Sequence, residues 1–365
     1  MWYFMLVIML LITGGILFYL VSRFHRFGWI HTLAGNRNRL SWLLSCVPVI
    51  ILLCFSFISA FGTLVALLHL FLFWALCDLV GFLVRKTRKK DFLRYYQGAA
   101  AIVLTAVYLS IGWYSFHHVC QSEYALQTEK ILGADSLRIV LIADSHLGEM
   151  MGADAFAQQI ANIQQTEPDL VVLCGDFVDD DTAKEEMLDA CESLGTLNTT
   201  HGVYFVFGNH DKGYFHSRDF TENDLRAALQ ANGVTILEDE VVLLNHSIYL
   251  IGRQDRSVQE RAEISDLLTG LDSSKYMIVL NHQPNDYDNE AASGVDLVLS
   301  GHTHGGHIFP VGEIGYILGA NDKVYGLEHR DGTDFIVTSG LSGWGIPFKT
   351  FTISEYVIID IAQVT

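Results

Sequence analysis

The sequence predicts an α/β domain preceded by an N-terminal region of four transmembrane helices, on three observations. Half of the 365 residues are hydrophobic and mean hydropathy is positive, more than an ordinary soluble domain carries. Charge is unevenly divided: residues 1–118 hold ten Lys and Arg against only Asp78 and Asp91, a net of +8. Removing these from the totals of 23 basic and 41 acidic residues leaves 13 and 39 for residues 119–365, a net of −26. From residue 137 onward, short β-rich runs alternate with helical patterns. The expected organisation is a membrane domain over 1–118, a linker over 119–136 and an α/β domain over 137–365.

Four apolar stretches, 2–21, 43–60, 64–84 and 98–116, have the length of about 20 residues that a helix needs to cross a bilayer. The first reads as an uncleaved anchor, because no basic residue precedes its apolar run and no small-residue cleavage site follows. Arg23, Arg26, Arg37 and Arg39 fall between the first two stretches, and Arg85, Lys86, Arg88, Lys89, Lys90 and Arg94 between the last two. Basic short loops stay cytoplasmic. The N-terminus is therefore expected outside, with a tight outer turn near 61–63 and everything after about His117 extracytoplasmic in a multi-pass protein of the cell membrane. His69 and Asp78 are ionisable groups in the third stretch, where charge is costly; an anchoring bundle with a hydrogen-bonded Asp is the expectation. Cys46, Cys54, Cys77, Cys120, Cys174 and Cys191 show neither CxxC spacing nor a disulfide framework.

In the second half, "LRIVLIADSH", "DLVVLCGDFVDD", "GVYFVFGNHD", "YMIVLNHQP" and "VDLVLSGHTHGGH" read as strands buried on both faces, each ending in a polar cluster. Helical patterns at 154–165, 182–194 and 222–231 lie between them, a strand pair is expected at 241–244 and 247–252, and further strands over 334–361. In open α/β sheets, ligands bind beyond the carboxyl ends of strands, and all five polar clusters are at those ends. Any one cluster also reads as a turn with capping side chains. Together they place Asp144, His146, Asp176, Asn209, His210, His282, His302 and His304 in one neighbourhood. Such a mixed oxygen and imidazole set suits two borderline divalent ions, Mn, Fe or Zn, rather than Ca or Mg. The lack of thiolates argues against a closed structural zinc. An acidic domain repels phosphate backbones, so a nucleic-acid partner is not expected.

The order of "DSH" (144–146), "GDFVD" (175–179), "GNHD" (208–211), "NHQP" (281–284) and "GHTH" (301–304) resembles the calcineurin-like metallophosphoesterase superfamily over nearly all of 137–361. The glycine pair after "GHTH" and the later "SGLSGWGIPF" resemble its membrane-associated, lipid-directed branch. The resemblance implies a four-layer αββα sandwich with a binuclear centre: Asp144, His146 and His304 on one metal, Asn209, His282 and His302 on the other, and Asp176 bridging. In an extended HxH the two side chains point to one side, which agrees. Two such metals can share a hydroxide and clamp both oxygens of an in-line displacement at phosphorus. By resemblance His210 is no ligand; it protonates the leaving oxygen or stabilises developing charge. Asp179 and Asp211 either orient imidazoles or cap turns. His307 stands where that branch commonly has Gln, and could contact substrate phosphate, hydrogen-bond to a ligand or face solvent.

The expected function is a membrane-anchored metal-dependent hydrolase acting on a phosphoester or pyrophosphate bond of a lipid-linked or membrane-proximal substrate. Two alternatives are a non-catalytic metal-binding sensor or assembly module, and a cytoplasm-facing nucleotide-lipid pyrophosphatase. Leaving group and oligomeric state are not legible in the sequence.

Overall fold

The chain divides into two units, Met1–Gly112 and Trp113–Thr365. The computed structural model describes residues 2–88, 95–215 and 217–364, so Lys89, Lys90 and Arg94 of the expected basic loop lie outside the described residues, as do Asp91 and His216.

The first unit is helical: α1 Trp2–Phe24, α2 Gly28–Leu33, α3 Asn38–Cys54, α4 Ala60–Arg88 and α5 Tyr96–His117, whose last turn belongs to the second unit. Among the described residues, Asn38–Phe57, Ala60–Arg88 and Tyr96–His117 are long and apolar enough to cross a membrane, and Leu11–Phe24 is a shorter apolar helix. These segments associate the chain with a membrane. The turn expected at 61–63 comes earlier, at Ile58 and Ser59, because the Gly62 N–H donates to Ser59 Oγ (2.9 Å) and starts α4 at Ala60. The short α2 inside the first basic loop was not expected.

Asp78 has partners. Arg23 Nε lies 2.5 Å from its Oδ2, Tyr19 Oη donates to the same oxygen at 2.9 Å, and Tyr95 Oη approaches Oδ1 at 3.4 Å while accepting from Trp74 Nε1 at 2.8 Å. The Arg23 guanidinium also lies over the Tyr19 ring, 4.3 Å from its centroid. His69 Nδ1 meets the Val65 carbonyl one turn back (2.9 Å) and its ring stacks on Tyr108. Both ionisable groups therefore tie helices together.

The second unit runs β1 Cys120–Thr128, β2 Ser136–Ile142, α6 Ala153–Gln164, β3 Leu170–Cys174, α7 Lys184–Leu194, β4 Val203–Val206, α8 Glu222–Ala231, β5 Val234–Ile236, β6 Glu240–Leu244 and β7 Ile248–Gly252. It continues with α9 Ile264–Leu267, β8 Tyr276–Leu280, α10 Tyr287–Ala292, β9 Leu297–Ser300, α11 Val311–Ile317, β10 Gly326–Arg330, β11 Thr333–Val337 and β12 Glu355–Gln363. Two six-stranded mixed sheets result, ordered β1-β12-β2-β3-β4-β5 and β10-β11-β9-β8-β7-β6. The central strands β3, β4, β8 and β9 are buried along their whole length, because each sheet packs apolar side chains on either side and leaves no wet face for polar residues to alternate onto. One buried cluster joins the sheets, with Ile139, Leu141 and Val172 meeting Leu250, Ile278 and Leu299. A second holds Phe156, Met187 and Leu225 of α6, α7 and α8 against Val140, Leu173 and Phe205, and a third holds Ile264 and Tyr287 of α9 and α10 against Val279 and Phe335.

Two sequence expectations need correction. The segment 119–136 is not merely a linker: Cys120–Thr128 is a strand paired in parallel with β12 over its whole length. It escaped notice because an edge strand with one wet face, "CQSEYALQT", lacks the apolar run of the central strands. The helix expected from 182 begins at Lys184, since Thr182 Oγ1 is occupied by the Asp179 N–H (2.7 Å).

Asp78→Ala leaves Arg23 without its carboxylate among apolar helices, and a loss of about 3 kcal/mol is expected. Thermal unfolding of the detergent-solubilised chain checks this: Asp78→Ala should lower the midpoint, and Arg23→Leu combined with it should restore most of the loss.

Candidate metal centre

The carboxyl ends of β2, β3 and β4 in one sheet and of β8 and β9 in the other converge, and every candidate residue follows one of these five strands. The turns are tight. Asp144, His146, Asp176, His302 and His304, five of the seven expected ligands, have φ between 42° and 72°, a left-handed conformation costly for residues with a side chain and typical of functional sites. The glycines beside them permit the close approach: a Cβ on Gly208 would lie 2.2 Å from Asp176 Oδ1.

Three groups form. Asp144, His146 and His304 present ligand atoms within 4.8 Å of one another; so do Asp176, His282 and His302; and so do His146, Asp179 and His210. Asp176 lies between the first two, its Oδ2 3.2 Å from His282 Nε2 and 3.7 Å from His146 Nε2. Asn209 joins the second, Oδ1 being 3.2 Å from His282 Nε2, and its Nδ2 donates to Tyr214 Oη (2.7 Å), which fixes the amide orientation.

The hydrogen bonds say what these groups can hold. His282 Nδ1 donates to the Cys174 carbonyl at 2.7 Å, so the lone pair of Nε2 is left facing two acceptors, Asp176 Oδ2 and Asn209 Oδ1. Only a proton or a cation relieves that arrangement. Without a cation, burial opposes a charge on His282 but Asp176 prevails and pushes it up to about 10. His146 Nδ1 meets Asp179 Oδ2 at 2.7 Å, and its buried Nε2 has no hydrogen-bond partner; the buried His304 Nδ1 is likewise unpartnered. Unsatisfied imidazole nitrogens in a dry pocket beside carboxylates are the donor set of a divalent metal. Burial lowers His304 and takes His302 down to about 4, with the neighbouring imidazoles adding to both, which favours the neutral ring in each. Burial raises Asp144 to about 6, although His302 donates its N–H to both carboxylate oxygens at 2.9 Å. The residues fit two adjacent divalent cations.

His210 lines a pocket of about 330 Å³ with Asp176, His302, His304, His307 and Trp344. Its Nδ1 lies 3.1 Å from Asp179 Oδ1, so Asp179 orients two imidazoles at once. Burial works against the charged ring, yet Asp179 and the other nearby carboxylates raise His210 above the usual imidazole value. Asp211 does something else: its oxygens accept the backbone N–H groups of Asp176, Phe177, Val178 and Gly208 at 2.7 to 3.1 Å. It is a clamp on two turns and touches no imidazole among its hydrogen bonds. His307 packs on His304 (ring centroids 4.5 Å) with a buried, unpartnered Nδ1, and burial takes it down to about 3. The ring as a whole is part-buried and lines the same pocket, and only its Nδ1 is withdrawn from solvent. Trp344 and Tyr214 pack near His210 at 5.4 and 5.0 Å and were not singled out by the sequence, although Trp344 sits in the quoted "SGWGIP".

Residues 137–306 match the family model of the calcineurin-like phosphoesterases. An uncharacterized metallophosphoesterase of Aquifex aeolicus is 31% identical over 248 residues, 66% of this chain and 90% of that protein. One from Helicobacter pylori is 34% identical over 225 residues, 60% of this chain and 58% of that protein. A transmembrane protein with metallophosphoesterase domain from Danio rerio is 27% identical over 330 residues, 84% of this chain and 72% of that protein. Among solved structures, a dimetal phosphatase from Danio rerio matches with a TM-score of 0.38 and 13% identity over 57% of this chain and 87% of that one. The chain thus spans under two thirds of the Helicobacter relative's length.

Asp211→Ala would strand four buried backbone donors, each worth about 1–3 kcal/mol when left unpaired. A loss of at least about 3 kcal/mol is expected in denaturant unfolding, larger than that of Asp179→Ala, whose carboxylate meets two imidazoles and a single backbone N–H, that of Asp180.

Proposed function

The chain belongs to the calcineurin-like metallophosphoesterase family, and from that premise we propose that it is a membrane-anchored binuclear phosphoesterase that hydrolyses a phosphoester or pyrophosphate bond in a lipid-linked or membrane-proximal substrate. The observation that carries the reading is Asp176, placed between two groups of imidazole and oxygen donors. Asp144, His146 and His304 would hold one divalent ion, Asn209, His282 and His302 the other, and Asp176 both. When bound, the ions supply Lewis-acid polarisation of the phosphoryl oxygens and a water nucleophile of lowered pKa.

The chain's own residues do the rest. As water oxygen bonds to phosphorus and the bond to the leaving oxygen breaks, His210 gives that oxygen its proton. Asp179 favours the charged form of His210 through Nδ1 and leaves Nε2 to serve the leaving group. The Asp211 clamp holds the turns bearing Asp176 and Asn209 at a fixed separation. Trp344 and Tyr214 flank His210.

The four long N-terminal helices, α1, α3, α4 and α5, form the anchor to about residue 118. The basic residues at 23–39 and 85–94 favour the cytoplasmic side for the loops that carry them, which puts the catalytic domain outside. The net charge of −26 over 119–365 disfavours nucleic acid as substrate.

Three outcomes are expected. Asp176→Asn and His304→Ala each abolish turnover of phosphodiester and monoester substrates by the Mn-supplemented protein, and His210→Ala lowers kcat by about 10²–10⁴; full activity in Asp176→Asn or His304→Ala removes the binuclear assignment. Stripping metal with a chelator lowers the unfolding free energy of the second unit by about 4 kcal/mol relative to metal at a thousandfold excess over Kd, read from denaturant unfolding, with readdition restoring it. External protease acting on intact cells degrades the 119–365 region; protection of that region reverses the topology.

A further inference from the structure

A second cavity of about 360 Å³ adjoins the metal pocket and shares Gly306 and Val324 with it. Its apolar walls are Phe309, Tyr316, Val324 and Phe351. The surrounding surface is unusually oily: Phe351 is 82% exposed, and Ile317 and Leu318, at the end of α11, are each 78% exposed. Phe351 also has a φ of 65°, so an exposed aromatic is held at a conformational cost, which is a pointer to use. It packs edge-on against Phe309 at 5.4 Å. Contiguous exposed apolar surface of this kind marks a binding face.

Five of the polar side chains on these walls are already engaged, while Glu313 and Tyr316 bring a carboxylate and a hydroxyl to the lining. Thr350 Oγ1 accepts the Phe309 N–H (2.8 Å), Thr352 Oγ1 donates to the Gly305 carbonyl (3.4 Å), Tyr325 Oη donates to Glu355 (3.0 Å), and Lys323 pairs with Glu328 (3.6 Å). A nucleobase or sugar placed here would lose hydration at its polar edges and gain few partners, whereas a hydrocarbon chain needs none. The unit also continues in sequence from the candidate membrane span Tyr96–His117.

We propose that this cleft between α11 and the 350–352 loop binds the hydrocarbon chain of the substrate while its phosphate occupies the adjoining metal pocket. The proposal rests on the phosphoesterase reading and assigns the substrate class: an alkyl or isoprenyl phosphoester rather than a nucleotide.

The test compares ethyl and octyl nitrophenyl phosphodiesters as kcat/KM with the full-length Mn-loaded chain in detergent, and in parallel ethyl and octyl phosphate as Kd by calorimetry. Each methylene buried is worth about 0.8 kcal/mol, so the wild type should favour the octyl ligand at least tenfold even if only two methylenes are covered. Phe309→Ser with Phe351→Ser should bring the octyl-to-ethyl ratio to within about threefold of one, and Phe309→Leu with Phe351→Leu should keep it. The octyl-to-ethyl ratio of each variant is compared with that of the wild type at one detergent concentration, held low and just above its micelle threshold. This comparison cancels partition into detergent and separates loss of the cleft from loss of the fold. A high ratio that persists in the serine variant overturns the cleft and leaves the lipid-directed reading standing. A ratio near one in the wild type, with both esters hydrolysed, removes both. If neither ester turns over, the phosphoesterase reading fails while the Kd ratio still decides the cleft. A serine variant that turns an oligomer into a monomer and keeps its octyl preference makes the face an interface between copies, against the proposal.

Discussion

Carboxylates crowded where two sheets meet are the constraint on which the second unit depends. Asp144, Asp176, Asp179 and Asp211 are all buried, and like charges removed from water repel strongly at such separations. Each is held by a different device. Asp211 is satisfied by four backbone N–H groups from two turns, and Asp179 by two imidazoles. Asp144 accepts the His302 N–H. Asp176 accepts the His210 N–H at 2.9 Å through Oδ1 and turns Oδ2 to His282 and His146. Only Asp144 and Asp176 are left with charge directed at unpaired imidazole nitrogens, so the same burial that threatens the fold selects where cations are wanted.

The fold and the site were legible in the sequence to different depths, for physical reasons. A central strand buried on both faces announces itself as an apolar run, so β2, β3, β4, β8 and β9 and the clusters at their ends were readable. The edge strand β1, half wet, was not. Spacing could group "GHTH" and "DSH", but it could not show that Asp144, His146, Asp176, His302 and His304 all bend into left-handed backbone; the glycines nearby were the only trace. Asp179 and Asp211 looked alike in sequence, each a carboxylate in a motif. Their partners tell them apart, and partners that come from elements 30 or more residues away leave no local mark. Asp78 is similar: sequence flagged it as costly in a membrane, while its ion pair with Arg23 required the helices to be folded.

The support behind Asp144 comes from residues that carried no sequence signal at all. Lys349, in "PFKTF", reads as a surface lysine but is fully buried, and burial takes its ammonium down to about 7. Its Nζ donates to the carbonyls of Ser339 (2.5 Å) and Gly340 (3.2 Å). A Cβ on Gly340 would sit 2.6 Å from Asp144 Cβ, and the Leu341 and Ser342 N–H groups donate to the Ala143 and Asp144 carbonyls. Lys349 thus braces the loop that closes over the turn after β2. Glu355 braces the same loop from the other end, accepting from Thr338 Oγ1 and the Ser339 N–H, and it also receives Ser122 Oγ of β1 and Tyr325 Oη. The strand mistaken for a linker is consequently part of the brace. Its pairing with β12 positions Glu355, Glu355 and Lys349 fix the 338–342 loop, and that loop sets how closely backbone can approach the Asp144 carboxylate.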